Sequence, residues 1–167
     1  MIEFEDIRAE SLFQQADTLI NEKKYEDAFL ILKSLIERDP PLGKAFNHMG
    51  WFYQWKIKDY KKAGEYYKKS IELSPEYYAG YSNYIYVLAA MQQWKELEET
   101  ITKALTVPNA NRVNLFKELG IMKEKQGKYQ DAIDVYKKGA AEAIETEEFQ
   151  EAMKSVDRCK EKMKLLG

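Results

Sequence analysis

Cysteine, histidine, proline and glycine are all scarce in this chain. Its 167 residues include one Cys, one His, 4 Pro and 8 Gly. One Cys excludes a disulfide framework, and one Cys with one His excludes an ordinary structural zinc site. So little Gly and Pro excludes collagen-like and low-complexity chains. Neither sign of charge dominates: 26 Lys and Arg face 28 Asp and Glu, net -2. No strong positive field exists to hold nucleic acid. Long apolar runs are also missing. The longest unbroken one, residues 84–91, has eight residues, against about 20 for a membrane-spanning helix. The opening Met-Ile-Glu-Phe-Glu-Asp lacks the basic and apolar regions of a signal peptide. These absences lead us to expect a cytoplasmic protein with no nucleic-acid partner, no membrane contact, no metal and no cofactor.

What is present is a core. Apolar residues make up 45% of the chain and aromatics 13%, too much for a disordered segment. Charge is uneven along the chain: residues 1–42 carry 5 basic and 10 acidic side chains, and residues 43–77 carry 7 and 4. Dense charge of this kind is normal on solvated helix faces.

Proline gives the first sign of organisation. Pro40, Pro75 and Pro108 are spaced by 35 and 33 residues, and each follows an apolar-periodic run. Proline cannot continue a helix, so each marks a helix end at a near-constant interval. Independent positions repeat in phase. Tyr25, Tyr60, Trp94 and Tyr129 are spaced by 35, 34 and 35; Ala16, Gly50, Ile85 and Gly120 by 34, 35 and 35. Ala28, Ala63, Leu97 and Ala132 follow the first set by three residues, and Leu32, Tyr67, Ile101 and Tyr136 follow those by four. Each unit holds two amphipathic patterns joined by a short polar turn, which predicts a helical hairpin. The small residues Ala16, Gly50 and Gly120 are expected to face Ala28, Ala63 and Ala132. Ile85 and Leu97 break that pattern in the third unit and predict a local change of superhelix there. Phe149, Ala152, Met153, Val156, Cys159, Met163 and Leu166 give one apolar stripe on a last, unpaired helix. Cys159 on that stripe reads as a buried apolar residue rather than a reactive thiol.

These units resemble the tetratricopeptide repeat family. The fullest local match runs Phe116-x-x-Leu119-Gly120, then Gly127-Lys128-Tyr129-Gln130-Asp131-Ala132-Ile133-Asp134-Val135-Tyr136. The second unit matches through Phe46, Met49, Gly50, Tyr53, Ala63, Tyr67 and Pro75. The resemblance implies an all-α, right-handed α-α superhelix of about four hairpins plus a C-terminal capping helix, with residues 1–167 as a single domain. The units fall at about 9–42, 43–77, 78–112 and 113–146, and the capping helix at about 147–165. A lone hairpin cannot bury its apolar face, so neighbours complete the core.

Sequence motifs for catalysis are missing. There is no phosphate-binding Gly-rich loop, no G-x-G-x-x-G, no H-E-x-x-H and no G-x-S-x-G. The chain reads as a non-catalytic scaffold that binds a protein or peptide. The resemblance implies that the first helix of each hairpin lines a concave groove. The matching positions are Asn47, His48, Trp51, Gln54 and Trp55 in the second unit, Ser82, Asn83, Tyr86, Ala89 and Ala90 in the third, and Lys117, Ile121, Glu124 and Lys125 in the fourth, with Phe13, Asp17 and Ile20 in the first. Trp51 and Trp55 are i and i+4, so they are expected to share a helix face. Aromatic anchors in a polar surround suit a binding hot spot. Two alternatives stand beside this reading: a dedicated chaperone of the secretion type, and a self-assembling module forming a homo-oligomer. In relatives that clamp a C-terminal carboxylate, the clamp uses Lys, Asn and Arg. Here the matching positions are Asn47, Trp51, Asn83, Asn114 and Glu118, and only Asn83 fits, so an acidic chain terminus is expected to bind poorly.

Overall fold

In a computed structural model of the protein, residues 2–166 are described, with side chains from residue 6 onward. Among these residues the chain is helical throughout, without strands. The helices are α1 (Ile2–Asn21), α2 (Tyr25–Glu37), α3 (Gly43–Trp51), α4 (Tyr60–Leu73), α5 (Tyr78–Ala90), α6 (Trp94–Ala104), α7 (Arg112–Lys125), α8 (Tyr129–Glu142) and α9 (Thr146–Leu166). A π-helical turn, Phe52–Ile57, extends α3. Contacts group the chain into two units, Met1–Val87 and Leu88–Gly167, divided within α5.

In the first unit α1 packs on α2, α2 on α3, and α3 on α4. Ala9, Ala16, Ala28, Leu32, Leu35, Ala45, Met49 and Phe52 form its buried cluster, flanked by Tyr25, Phe29 and Trp51. Asp59 caps α4 by accepting from the Lys62 N–H at 2.9 Å. In the second unit α7, α8 and α9 pack successively. Ala132, Ile133, Tyr136, Val156 and Cys159 form a buried cluster there. The apolar stripe of α9 is buried only at its middle. Val156 and Cys159 are fully buried, whereas Phe149 and Leu166 at its two ends are exposed. Length explains this: α9 has 21 residues and α8 has 14, so α9 outruns its partner by about 10 Å at the usual helical rise. Lys123 on α7 makes an ion pair to Glu98 on α6 at 2.7 Å.

At Gly50 and Gly120 the nearest neighbours on the second helix are tyrosine rings. A Cβ on Gly50 would lie 2.6 Å from the Tyr67 ring, and one on Gly120 would strike the ring of Tyr136. Glycine therefore makes room for a buried tyrosine. In the first hairpin the corresponding pair is Ala16 and Leu32, both fully buried. By sequence the third hairpin has Ile85 and Ile101 at these positions, and each is buried.

The turns inside the hairpins repeat a left-handed residue. Lys23, Lys58, Gln92 and Gly127 have φ of 63°, 66°, 56° and 74°. Only the fourth is the glycine that this conformation favours. In three hairpins the next N–H reaches back five residues, from Lys24 to Leu19, Gln93 to Leu88 and Lys128 to Lys123. In the second hairpin Asp59 reaches back six, to Tyr53. That hairpin contains one extra residue. Gly50 to Tyr60 is ten positions, whereas Ala16 to Tyr25, Ile85 to Trp94 and Gly120 to Tyr129 are each nine. The π turn absorbs the insertion, and the left-handed closure follows it unchanged. Replacing Lys23 or Gln92 with glycine is expected to raise stability by about 0.5–1 kcal/mol each, because a Cβ in the left-handed region is disfavoured. Urea unfolding would measure it, and a neutral or lower midpoint would refute the strain argument.

Candidate functional site

The expected groove residues of the first unit separate into three layers. The deepest is polar and internally satisfied. Gln54 is 2% exposed and accepts the Tyr67 hydroxyl at 2.6 Å. Burial pushes the Tyr67 hydroxyl pKa well above the ordinary phenol value. Asn47 is 4% exposed and accepts from the Asn83 side-chain amide at 2.9 Å. Gln54 and Asn47 thus support the face from beneath rather than line it. A buried amide must be paired, and here each pairing ties neighbouring helices together.

The second layer lies at the border with α1. His48 Nε2 is 3.2 Å from Asp17 Oδ1, and the Phe13 ring meets the imidazole edge-on at 4.7 Å. The imidazole Nδ1 is buried with no hydrogen-bond partner. Tyr77, just before α5, has its hydroxyl pKa raised, first by burial and then by the charge of Asp17. Ser82 is half-buried on the same helix as Asn83.

The third layer is aromatic and outermost. Trp55 and Tyr86 are 44% and 49% exposed, with ring centroids 6.1 Å apart and planes at 32°. Lys58 places its ammonium 5.2 Å from the Trp55 ring. Trp51 behaves differently. It is half-buried and packs on Tyr25 at 6.1 Å and Phe52 at 5.3 Å. The Lys56 ammonium sits 3.6 Å from the Tyr25 centroid and 5.4 Å from that of Trp51. The i, i+4 rule assumes 3.6 residues per turn, and the π turn begins between the two indoles. Trp51 therefore serves the first hairpin and Trp55 the third. Ala90 and Ile121 belong to the second contact unit. Ala90 is exposed at the end of α5, and Ile121 is half-buried against the α8–α9 cluster. The ring-facing lysines had no sequence signal of their own.

Among the described residues, no group of three or more His, Cys, Asp or Glu side chains is placed to hold a metal ion. No described helix is long and apolar enough to cross a membrane.

Comparison with known proteins adds three findings. Residues 10–41 and residues 43–77 each match a family model described as tetratricopeptide repeat. No curated protein sequence matches. Solved structures do match. A structure titled MamA AMB-1 superposes with a TM-score of 0.70 at 17% identity, over 95% of this chain and 84% of that one. Yeast Tom70 gives 0.76 at 20% identity over 93% of this chain, which spans only 34% of that larger protein. Pseudomonas aeruginosa pilF gives 0.68 at 20% identity, over 81% of this chain and 61% of that one. At these identities the likeness is one of fold.

Proposed function

The chain belongs to the tetratricopeptide repeat family, an all-α superhelical class of protein–protein interaction modules, and on that premise we propose that it is a non-catalytic scaffold that takes a peptide or helix against Trp55 and Tyr86. The observation that carries the proposal is the exposure of this aromatic pair. Two large rings in mutual contact, each about half exposed, stand on helices whose undersides are locked by Gln54–Tyr67 and Asn47–Asn83. Rings fixed in advance lose little freedom when a partner arrives, so their buried area converts efficiently into affinity. The partner contributes an apolar anchor, and Ser82 and Asn83 supply hydrogen bonds around it. The repeat boundaries 9–42, 43–77, 78–112 and 113–146 are part of the same proposal.

Affinity capture from native extract, followed by titration of the captured partner, tests it. The double variant Trp55→Ala/Tyr86→Ala is expected to weaken binding about tenfold or more, as loss of hot-spot aromatics does. Its helical circular dichroism should match the wild type, because both rings stand outside the buried clusters. Trp51→Ala is the wrong test, since that ring packs on Tyr25. Unchanged affinity in the folded double variant would refute the proposal. Light scattering separates association of two copies from binding of another partner.

A further inference from the structure

The residue inserted in the second hairpin changes what its turn exposes. Gln54 and Glu124 occupy equivalent places, four residues beyond Gly50 and Gly120. Each accepts the hydroxyl of the tyrosine on the following helix, Tyr67 or Tyr136. The register is therefore intact as far as Gln54, and Lys58 restores it at the left-handed closure. The extra residue falls within 55–57. The corresponding stretch begins with Asn21 and Glu22 in the first hairpin and with Lys125 and Gln126 in the fourth, all polar, and with Ala90 and the 36% exposed Met91 in the third. In the second it carries Trp55 and Ile57, which are 44% and 56% exposed. Large apolar side chains clustered on a surface mark interaction sites, and π-helical turns recur at functional ones.

The charges beside this bulge are two lysines without an acidic partner among the described residues. Lys24, Lys44, Lys69, Lys117, Lys123 and Lys162 all make ion pairs. Among the described residues, Lys56 and Lys58 make none, like Lys62 and Lys125, and each of these four directs its ammonium at an aromatic ring instead. An ammonium has three donors, and an aromatic face occupies one side of it, so the outer donors remain for an anion. A cationic ligand laid on Trp55 would meet Lys58 as a like charge.

We propose that the 55–57 bulge is the partner-reading element of this face, and that its partner is a peptide segment whose apolar anchor is flanked by Asp or Glu. The anchor covers Trp55, Tyr86 and Ile57, and the carboxylates meet Lys56 and Lys58. This rests on the groove reading above and names the chemistry of its ligand. A free chain terminus is not required, because the recognised charges are side chains.

A displayed library of random dodecapeptides, selected against the full chain, tests it. The wild type is expected to enrich Asp and Glu beside Trp, Phe or Leu. The best selected peptide should bind Lys56→Glu/Lys58→Glu about tenfold more weakly, the scale on which like-charge juxtaposition discriminates. Selection against that variant should favour Lys and Arg instead. Deleting Ile57, which returns the hairpin to nine-residue spacing, should abolish enrichment while helical circular dichroism is retained. Peptides without charge preference that still need Trp55 would overturn this proposal and leave the groove reading standing. Enrichment of basic peptides by the wild type would overturn it equally. No enrichment beyond that of Trp55→Ala would overturn both.

Discussion

Replacing Gly50 with alanine is expected to destabilise the protein by about 2 kcal/mol, although alanine is the better helix former by about 1 kcal/mol. The reason is the Tyr67 ring. A Cβ at residue 50 would stand 2.6, 2.7 and 3.1 Å from three of its carbons. Tyr67 has nowhere to withdraw, being 0% exposed and held by its 2.6 Å hydrogen bond to Gln54. Inserting atoms against a fixed ring forces a backbone shift or an unfavourable rotamer. The double variant Gly50→Ala/Tyr67→Leu recreates the residue pair of the first hairpin, Ala16 with Leu32. It should be less destabilised than the sum of its single changes by about 1 kcal/mol, a coupling typical of residues in contact. Urea unfolding of the four proteins reads both quantities. A neutral Gly50→Ala, or strict additivity, would show that the close approach does not constrain the hairpin.

The second large effect is expected at Glu124. Its carboxylate accepts from Arg158 at 2.9 and 2.8 Å, from Lys162 at 2.8 Å and from the Tyr136 hydroxyl at 3.0 Å. It joins α7 to both α8 and α9. The hydrogen bonds from Arg158, chiefly, and then those from Lys162 and Tyr136 hold its pKa at about 2, with burial opposing them. A carboxyl group with a depressed folded-state pKa stabilises the fold fully above its ordinary value near 4.5. That contribution fades as the pH falls towards 2. The full shift would correspond to about 3 kcal/mol. Arg158 and Lys162 are 48% and 44% exposed, and solvent screening reduces the figure to about 2 kcal/mol. Glu124→Gln should therefore cost about 2 kcal/mol at pH 7 and almost nothing at pH 2. Cys159 provides the local readout. It is fully buried in the cluster shared by α8 and α9, and burial pushes its thiol pKa up. Thiol labelling at pH 7 should be slow in the wild type and faster in Glu124→Gln. Equal labelling rates and equal acid profiles would mean that the Glu124 network does not hold α9 in place.

The hairpin organisation was legible because it rests on many weak signals in phase. Tyr25, Tyr60, Trp94 and Tyr129 mark the second helices, and the prolines mark their ends. How the small positions are used was not legible. Periodicity says that Gly50 and Ala63 recur, but only packing shows that Gly50 lies under Tyr67. The binding face was legible in its residue types and less so in its depth. Gln54 and Asn47 fall at surface-facing slots on a uniform helical wheel. Their pairing with Tyr67 and Asn83 comes from elements 13 and 36 residues away. Trp51 and Trp55 are the same residue type one nominal turn apart, yet they diverge. The inserted residue escapes notice when Ala16–Gly50 and Tyr25–Tyr60 are counted separately, at 34 and 35 residues. Only the difference between the two counts reveals it.

The π turn also bears on how such a chain tolerates change in length. An extra residue in a regular helix rotates everything after it by about 100°, which would turn an apolar face outward. Here the surplus is confined to one turn, and α4 begins with its tyrosine and its Asp59 cap in the ordinary places. Hairpin length and hairpin phase are therefore separate variables. The surface of one unit can gain a residue, and with it a new chemical character, without re-indexing the units that follow.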